Sequence, residues 1–228
     1  MKMLRLSATL LDSYRLFKGG DGGFEIVTVE DMISRVRKDP IEETHPMRMG
    51  NAFHAVAQEP DQYCEVYNDA PVYVWNEVTF DAEAIDKAVA DINEKKPLVE
   101  LKTEDFVIDV DYGPVRIVCQ ADALAGMDCY EYKTSLKPIT PQKLERYMES
   151  MQWRTYSLAF NASVVHYRIV ELKLLKGVDI WTVGNIHTLP LYPYPAMATD
   201  VAQVANDLSR WIHHMGLERF RLEEKQVA

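Results

Sequence analysis

One stretch constrains the fold more than any other: Arg116 to Ser135, which reads R-I-V-C-Q-A-D-A-L-A-G-M-D-C-Y-E-Y-K-T-S. Two short runs, Arg116–Leu124 and Cys129–Lys133, flank Ala125-Gly126-Met127-Asp128. Gly and Asp are turn formers, so the pattern predicts an antiparallel hairpin. Alternation along a strand puts Glu131 and Lys133 on one face and Tyr132 on the other. Asp122, near the end of the preceding strand, can face the same pair. Two carboxylates with an ammonium two residues on form a compact site for a hard divalent cation beside a phosphate. The carboxylates supply oxygen ligands, and the ammonium positions a water or offsets developing charge. The same letters also describe a solvated Glu-Lys ion pair and an ordinary strand-end Asp, so context has to decide.

Upstream, Ser7 is placed to cap a helix whose apolar residues Leu10, Leu11, Tyr14 and Phe17 share one stripe. A glycine-rich loop, Lys18 to Gly23, follows; it lacks the G-K-[ST] of a phosphate-binding loop and is given no nucleotide role. Thr28 caps a second helix that ends before Asp39-Pro40. A third helix covers about Met47 to Gln58, with Met49, Phe53, Val56 and Ala57 inward and His54 at the edge of that face. A lone histidine there is usually structural or solvated. Glu65–Trp75 and Glu77–Phe80 read as short strands around Pro71, near a sheet edge. Asp81 caps a helix with Ile85, Val89 and Ile92 inward, closed by Lys95-Lys96-Pro97. Asp105–Asp111 alternates and turns through Tyr112-Gly113-Pro114, making the hairpin the second and third members of a three-strand meander.

Downstream, Thr140-Pro141 opens a helix carrying Leu144, Tyr147, Met148, Met151, Thr155, Leu158 and Ala159 on one apolar stripe. Glu145, Glu149, Gln152 and Tyr156 form a flanking stripe, so Gln152 and Tyr156, one turn apart, reach out from the same side. Taken alone they are a boundary glutamine and a half-buried tyrosine. Trp153 falls opposite the apolar stripe, able to stack on a base, pack against another subunit or lie under the C-terminal segment. Val164–Leu174 and Asp179–Leu189 form a hairpin through Lys176-Gly177; Pro190, Pro193 and Pro195 mark a rigid crossing. Thr199 or Asp200 starts a final helix with Val201, Val204, Leu208, Trp211, Ile212 and Met215 inward. His213-His214 are left as surface residues.

In chain order, Gly50-Asn51-Ala52-Phe53-His54, Cys119-Gln120-Ala121-Asp122, Glu131-Tyr132-Lys133 and Gln152-Trp153-Arg154-Thr155-Tyr156 resemble the motifs of the PD-(D/E)XK nuclease superfamily. The likeness is to its RecB-like and Cas4-like exonuclease branch, and the opening Leu6 to Tyr14 looks like that branch's first helix. Cys119 stands where the family often has glycine. The resemblance implies an α/β fold, a central mixed β-sheet flanked by helices around a restriction-endonuclease-like core. One domain is expected over residues 1–228, with an N-terminal helical segment (about 1–60) and a C-terminal helix (about 198–222).

The activity it implies is a metal-dependent DNA exonuclease in recombination or repair, of the phage recombination type. His54, Asp122, Glu131 and the backbone carbonyl of Tyr132 would hold one or two Mg²⁺ or Mn²⁺ ions. Lys133 would activate the water, Gln152 and Tyr156 would support Lys133 or grip the strand, and Ser7 would contact a DNA end or backbone. Linear duplex ends or single strands are the implied substrate, with a single-strand annealing protein and a homo-oligomer as implied partners. A structure-specific endonuclease would use the same site, and an accessory binding protein would keep the fold without cleaving.

Composition narrows the setting. Net charge is −10, from 35 acidic and 25 basic residues, which counts against indiscriminate nucleic-acid binding and predicts weak DNA binding without metal. Three cysteines, Cys64, Cys119 and Cys129, lack C-x-x-C spacing and fit a reducing, cytoplasmic compartment of a bacterial or phage-infected cell. With none early and none late, the iron–sulfur cluster of some relatives is not expected. No run of apolar residues long enough to span a membrane is present.

Overall fold

The strand that carries Glu131 is buried on both faces. In this computed structural model, which describes residues 3–19, 27–92 and 102–223, the side chains of Cys129, Tyr130, Glu131 and Tyr132 are all buried in succession. A strand covered on one face would alternate; one sandwiched between two cores does not. Everything else in the fold follows from supplying those two covers.

The chain runs β1 (Met3–Ser7), α1 (Ala8–Gly19), α2 (Val29–Arg37), α3 (His45–Gln58), a short α4 (Pro60–Tyr63), β2 (Cys64–Tyr67), β3 (Ala70–Trp75), β4 (Val78–Asp81) and α5 (Ala82–Ile92). It continues through β5 (Lys102–Ile108), β6 (Val115–Ala121), β7 (Ala123–Ala125), β8 (Asp128–Ser135), α6 (Pro141–Glu149), α7 (Met151–Ala159), β9 (Val164–Leu174), β10 (Trp181–Leu191), α8 (Met197–His214) and β11 (Leu222–Glu223). One sheet has the order β11-β1-β6-β5 and the other β2-β3-β4-β10-β9-β8-β7. Both mix parallel pairs (β1 with β6, β8 with β9, β4 with β10) and antiparallel ones, the α/β class expected.

One core lies between the two sheets and α1, α2, α7 and α8; Leu6, Leu11, Met32, Ile117, Cys129, Tyr167 and Leu208 belong to it. The second lies under α3 and α5, with Phe53, Phe80, Ile85, Tyr130 and Tyr132. Tyr132 and Cys129, three residues apart on β8, therefore serve opposite cores, as strand alternation requires.

Four of the expected caps formed, while the last helix starts at Met197, ahead of the expected Thr199 or Asp200, with no side-chain cap. The Thr28 side chain accepts from the Asp31 N–H at 3.1 Å while Asp31 accepts from the Thr28 N–H at 2.9 Å, a capping box. The Ser7 hydroxyl accepts from the Leu10 N–H at 3.1 Å at the start of α1. Asp81 accepts from the Ala84 N–H at 3.3 Å, and Thr140 from the Lys143 N–H at 3.3 Å. The expected hairpin through Lys176-Gly177 is present as β9 and β10. The Glu65–Trp75 run is itself a hairpin, β2 with β3, turning at Asn68 and Asp69 with φ of 49° and 62°.

Four expectations need correction. The meander does not stay in one sheet. β6 ends at Ala121, the chain bends at Asp122, and only Ala123–Ala125 pairs with β8, while β6 pairs with β1 and β5. The alternation runs on unbroken across Asp122, so it carries no sign that the strand changes sheets.

The long helix after Pro141 is two helices. Ser150, with φ −56° and ψ 139°, breaks it and caps α7 by accepting from the Gln152 N–H at 3.1 Å. The break turns α7 so that Trp153 is buried, its Nε1–H donating to the Met148 carbonyl at 2.9 Å and its ring tilted against Tyr194 at 6.1 Å. Of the three fates open to Trp153, cover by the C-terminal segment is the one adopted. Met148, expected inward, is exposed. Losing one or two helix hydrogen bonds costs about 1 kcal/mol each, whereas a buried tryptophan is worth about 3–5 kcal/mol against alanine, so packing wins.

The N-terminal segment opens with a strand, not a helix, because buried Leu4 and Leu6 alternate with half-buried neighbours against β6. Finally, the last helix stops at His214, well before 222. Gly216 takes φ 65° and the Leu217 N–H closes back on the Ile212 carbonyl at 3.0 Å, an αL stop that returns the chain to β1 as β11. The glycines at 20–23 and the closing residues Lys95, Lys96 and Pro97 lie outside the described residues.

Candidate active site

The bend at Asp122 is what builds the site. It leaves the carboxylate beside β8, where Oδ2 accepts the Tyr132 backbone N–H at 2.7 Å. Glu131 and Lys133 share the adjoining face, with Lys133 Nζ donating to Glu131 Oε1 at 2.6 Å. The Gln152 side-chain amide donates to the same Oε1 at 3.0 Å and to the Tyr156 hydroxyl at 2.8 Å. Being one turn apart on α7 is sufficient for that geometry.

His54 arrives from the opposite core. Gly50, one turn earlier on α3, explains its reach, since a Cβ there would sit 3.3 Å from the Thr134 hydroxyl of β8. A helix with glycine at this position packs close to the strand, and His54 Nδ1 then lies 3.9 Å from Asp122 Oδ1. Burial lowers the imidazole's basicity, and the Glu131 charge and a hydrogen bond with the Tyr132 backbone oppose it. Cys119 occupies an ordinary mid-strand position in β6, buried and paired across to Glu104, so the departure from glycine leaves Asp122 undisturbed.

The cleft has a volume of about 740 Å³ and is lined by Ser7, His54, Asp122, Glu131, Gln152 and Tyr156. Sequence reasoning named all six. Lys133 is not among the residues facing this cleft; its ammonium bonds Glu131 from behind. Sequence reasoning missed Arg5, Lys38, Asn51, Gln58, Gln120 and Arg221, which line it as well. Asn51 and Gln120 sit inside the motifs quoted above, and that proximity was the available signal. Arg5, Lys38 and Arg221 carry none, because they come from a strand, a helix end and the C-terminal return. Arg221 is fixed by donating to the Val36 carbonyl at 2.8 Å and to the Arg35 carbonyl, closing the end of α2.

Burial dominates the electrostatics. It pushes the Glu131 carboxyl up to about 7, with the Asp122 charge adding to the effect and Lys133 opposing it. Asp122 is raised for the same first reason, against the Tyr132 N–H and Lys133. Burial pulls Lys133 down, but Glu131 and Asp122 outweigh it and the net shift is upward, so the ammonium stays charged. Burial lowers His54, leaving a neutral imidazole at neutral pH with a lone pair to donate.

These donors suit a hard divalent cation. Glu131 Oε2 is buried without a hydrogen-bond partner, an orphaned carboxylate oxygen beside a second carboxylate and a neutral imidazole. Such an oxygen is costly to leave alone and is satisfied by a cation. Among the described residues, no three His, Cys, Asp or Glu side chains are grouped closely enough to form a ready ligand set. His54, Asp122 and Glu131 line one cleft without closing on a single point.

No family model matches the chain, and no curated protein matches it. Solved structures do. A protein named SSO0001 is 14% identical over 92% of this chain and 78% of its own, with a TM-score of 0.46. An alkaline exonuclease from Laribacter hongkongensis is 12% identical over 93% of this chain and 91% of its own, TM-score 0.41. A phage-related exonuclease from Haemophilus somnus is 10% identical over 93% and 97%, TM-score 0.38. Among the described residues no helix is long and apolar enough to cross a membrane.

Proposed function

We propose that this cleft hydrolyses phosphodiester bonds at DNA ends with the help of a divalent metal ion. The observation that carries the reading is the buried Glu131. One of its oxygens is held by Lys133 and Gln152, while the other receives no N–H donor and the carboxyl stands against that of Asp122. A buried carboxylate oxygen without a donor calls for an explanation, and a bound cation is one.

His54, Asp122, Glu131 and the Tyr132 carbonyl are the residues that would hold Mg²⁺ or Mn²⁺. Such an ion, when bound, supplies a Lewis acid for the phosphate oxygens and a more acidic water. Lys133 stays cationic, holds Glu131 Oε1 from behind the cleft wall and offsets from there the charge gathering on the phosphate. Gln152 fixes the Glu131 oxygen that Lys133 uses, and Tyr156 holds Gln152. Ser7 and the cations Arg5, Lys38 and Arg221 stand on the cleft wall where a strand's phosphates would run. The motif resemblance suggests recombination or repair as the setting, with a single-strand annealing protein nearby.

The test is digestion of end-labelled linear duplex and closed-circular DNA with Mg²⁺, Mn²⁺ or EDTA, by wild type and Lys133→Ala. Progressive loss of linear DNA, survival of circles, and loss of activity with EDTA or the substitution is the expected result. Cleavage of circles would replace exonuclease by endonuclease, and inertness toward both DNAs under every metal condition would overturn the reading.

A further inference from the structure

A second cavity, of about 300 Å³, opens on the other side of Lys133, between α1 and α6. Gln152 lines both it and the main cleft, so the two spaces meet across the Glu131–Lys133 pair and the Gln152 amide. Four cations line this second space, Arg15, Lys133, Lys143 and Arg146, against the single carboxylate of Asp12; Lys133 is already paired with Glu131 at 2.6 Å, which leaves the other three to set the charge of the cavity. In a chain with 35 acidic and 25 basic residues, that ratio runs against the composition.

Asp12 cannot neutralise the group. Its Oδ1 already accepts the Met151 backbone N–H at 2.8 Å and the Arg15 Nε–H at 3.3 Å, tying α1 to the start of α7. Arg15 also reaches Glu149 at 3.2 Å, but that carboxylate is on the exposed rim, where an ion pair adds little. Lys143 donates to the neutral Ser135 hydroxyl at 2.8 Å. Positive charge in a concave space focuses the field and draws anions.

We propose that this cavity is a second phosphate subsite, one ion pair away from the scissile position. The inference rests on the nuclease reading for the nature of the ligand, a nucleotide phosphate. That phosphate has two sources, the released mononucleotide or the next length of an uncut strand. Arg146 and Lys143 would grip it from α6, and Arg15 from α1, with Lys133 at the back of the cavity linking it to Glu131.

Binding of two probes to the full chain settles it, deoxyadenosine monophosphate and a short single-stranded oligonucleotide, each titrated calorimetrically in EDTA at low salt. Wild type, the double variant Lys143→Ala/Arg146→Ala and the single variant Arg146→Gln are compared, with circular dichroism melts as the check on folding. The expected result is a loss of affinity of about tenfold or more for at least one probe in the double variant, and a smaller loss in Arg146→Gln, which leaves the Lys143–Ser135 contact in place. A loss confined to the monophosphate assigns the cavity to product; a loss for the oligonucleotide assigns it to the strand. Unchanged affinity for both probes in folded variants, or no binding of either probe by wild type, overturns the subsite. Digestion with Mg²⁺ in parallel keeps the two ideas apart. Inert wild type with intact, variant-sensitive binding would sink the nuclease and leave the subsite, and active variants with unaltered binding would do the reverse.

Discussion

The side-chain amide of Gln152 donates to Glu131 Oε1 at 3.0 Å, joining helix α7 to the central strand β8 at the oxygen that Lys133 also uses. The contact anchors α7, which packs in the first core, to the strand that both cores cover. It also makes the position of a charged group depend on a neutral one.

Gln152→Ala is therefore expected to lower kcat by about 10–100-fold, the usual range for losing a residue that orients a ligand, while KM for DNA changes little. Steady-state kinetics on end-labelled duplex separates the two. An equal fall in kcat and rise in KM would show that Gln152 grips the strand instead.

The break at Ser150 gives a stability prediction. Ser150→Ala removes the acceptor of the Gln152 N–H and should cost about 1 kcal/mol, with Ser150→Gly costing only a few tenths. For a chain of this size the alanine variant should melt about 2–4 °C lower. Thermal unfolding followed by circular dichroism measures it, and an unshifted alanine variant would mean the helices are continuous in solution.

Trp153 and Met148 should behave in opposite ways. Trp153→Ala empties a buried site and deletes the bond to the Met148 carbonyl, an expected loss of about 3–5 kcal/mol. Met148→Ala, on the exposed side of α6, should fall within about 0.5 kcal/mol of wild type. Urea titrations of the two variants would reverse this assignment if Met148 proved the costlier.

Glu171 supplies a pH prediction away from the cleft. Burial pushes its carboxyl up, but the Ile139 N–H at 2.7 Å, His187 Nε2 at 2.8 Å and the Asn185 amide at 2.9 Å outweigh it, and the net shift is downward from 4.5. A depressed folded value means the unfolded chain binds the proton more readily. The stabilisation is present above about pH 4.5 and is lost as pH falls through the folded value. Glu171→Gln should melt lower than wild type near neutral pH, with the gap narrowing as the pH drops below about 4. A gap that stays constant on acidification would remove the carboxylate from this account.

Local chemistry was readable from the chain. Ser7, Thr28, Asp81 and Thr140 announce helix starts because a cap is a contact over three residues. Alternation places Glu131 and Lys133 on one face of β8, and a turn's spacing places Gln152 with Tyr156 on one side of α7. Of the eight residues named for the site, six line the cleft; Tyr132 does not, and Lys133 bonds Glu131 from behind the wall. The tertiary structure alone decided that β6 leaves β8 at Asp122, that the helix breaks at Ser150 to bury Trp153, and that Arg5, Lys38 and Arg221 meet at the cleft from distant parts of the chain. It also decided that the Glu131 carboxyl is pushed upward by burial, since that depends on two cores closing over one strand. Periodicity records which face a residue takes, but burial and field are sums over neighbours that are far apart in sequence and become defined only when the sheets pack.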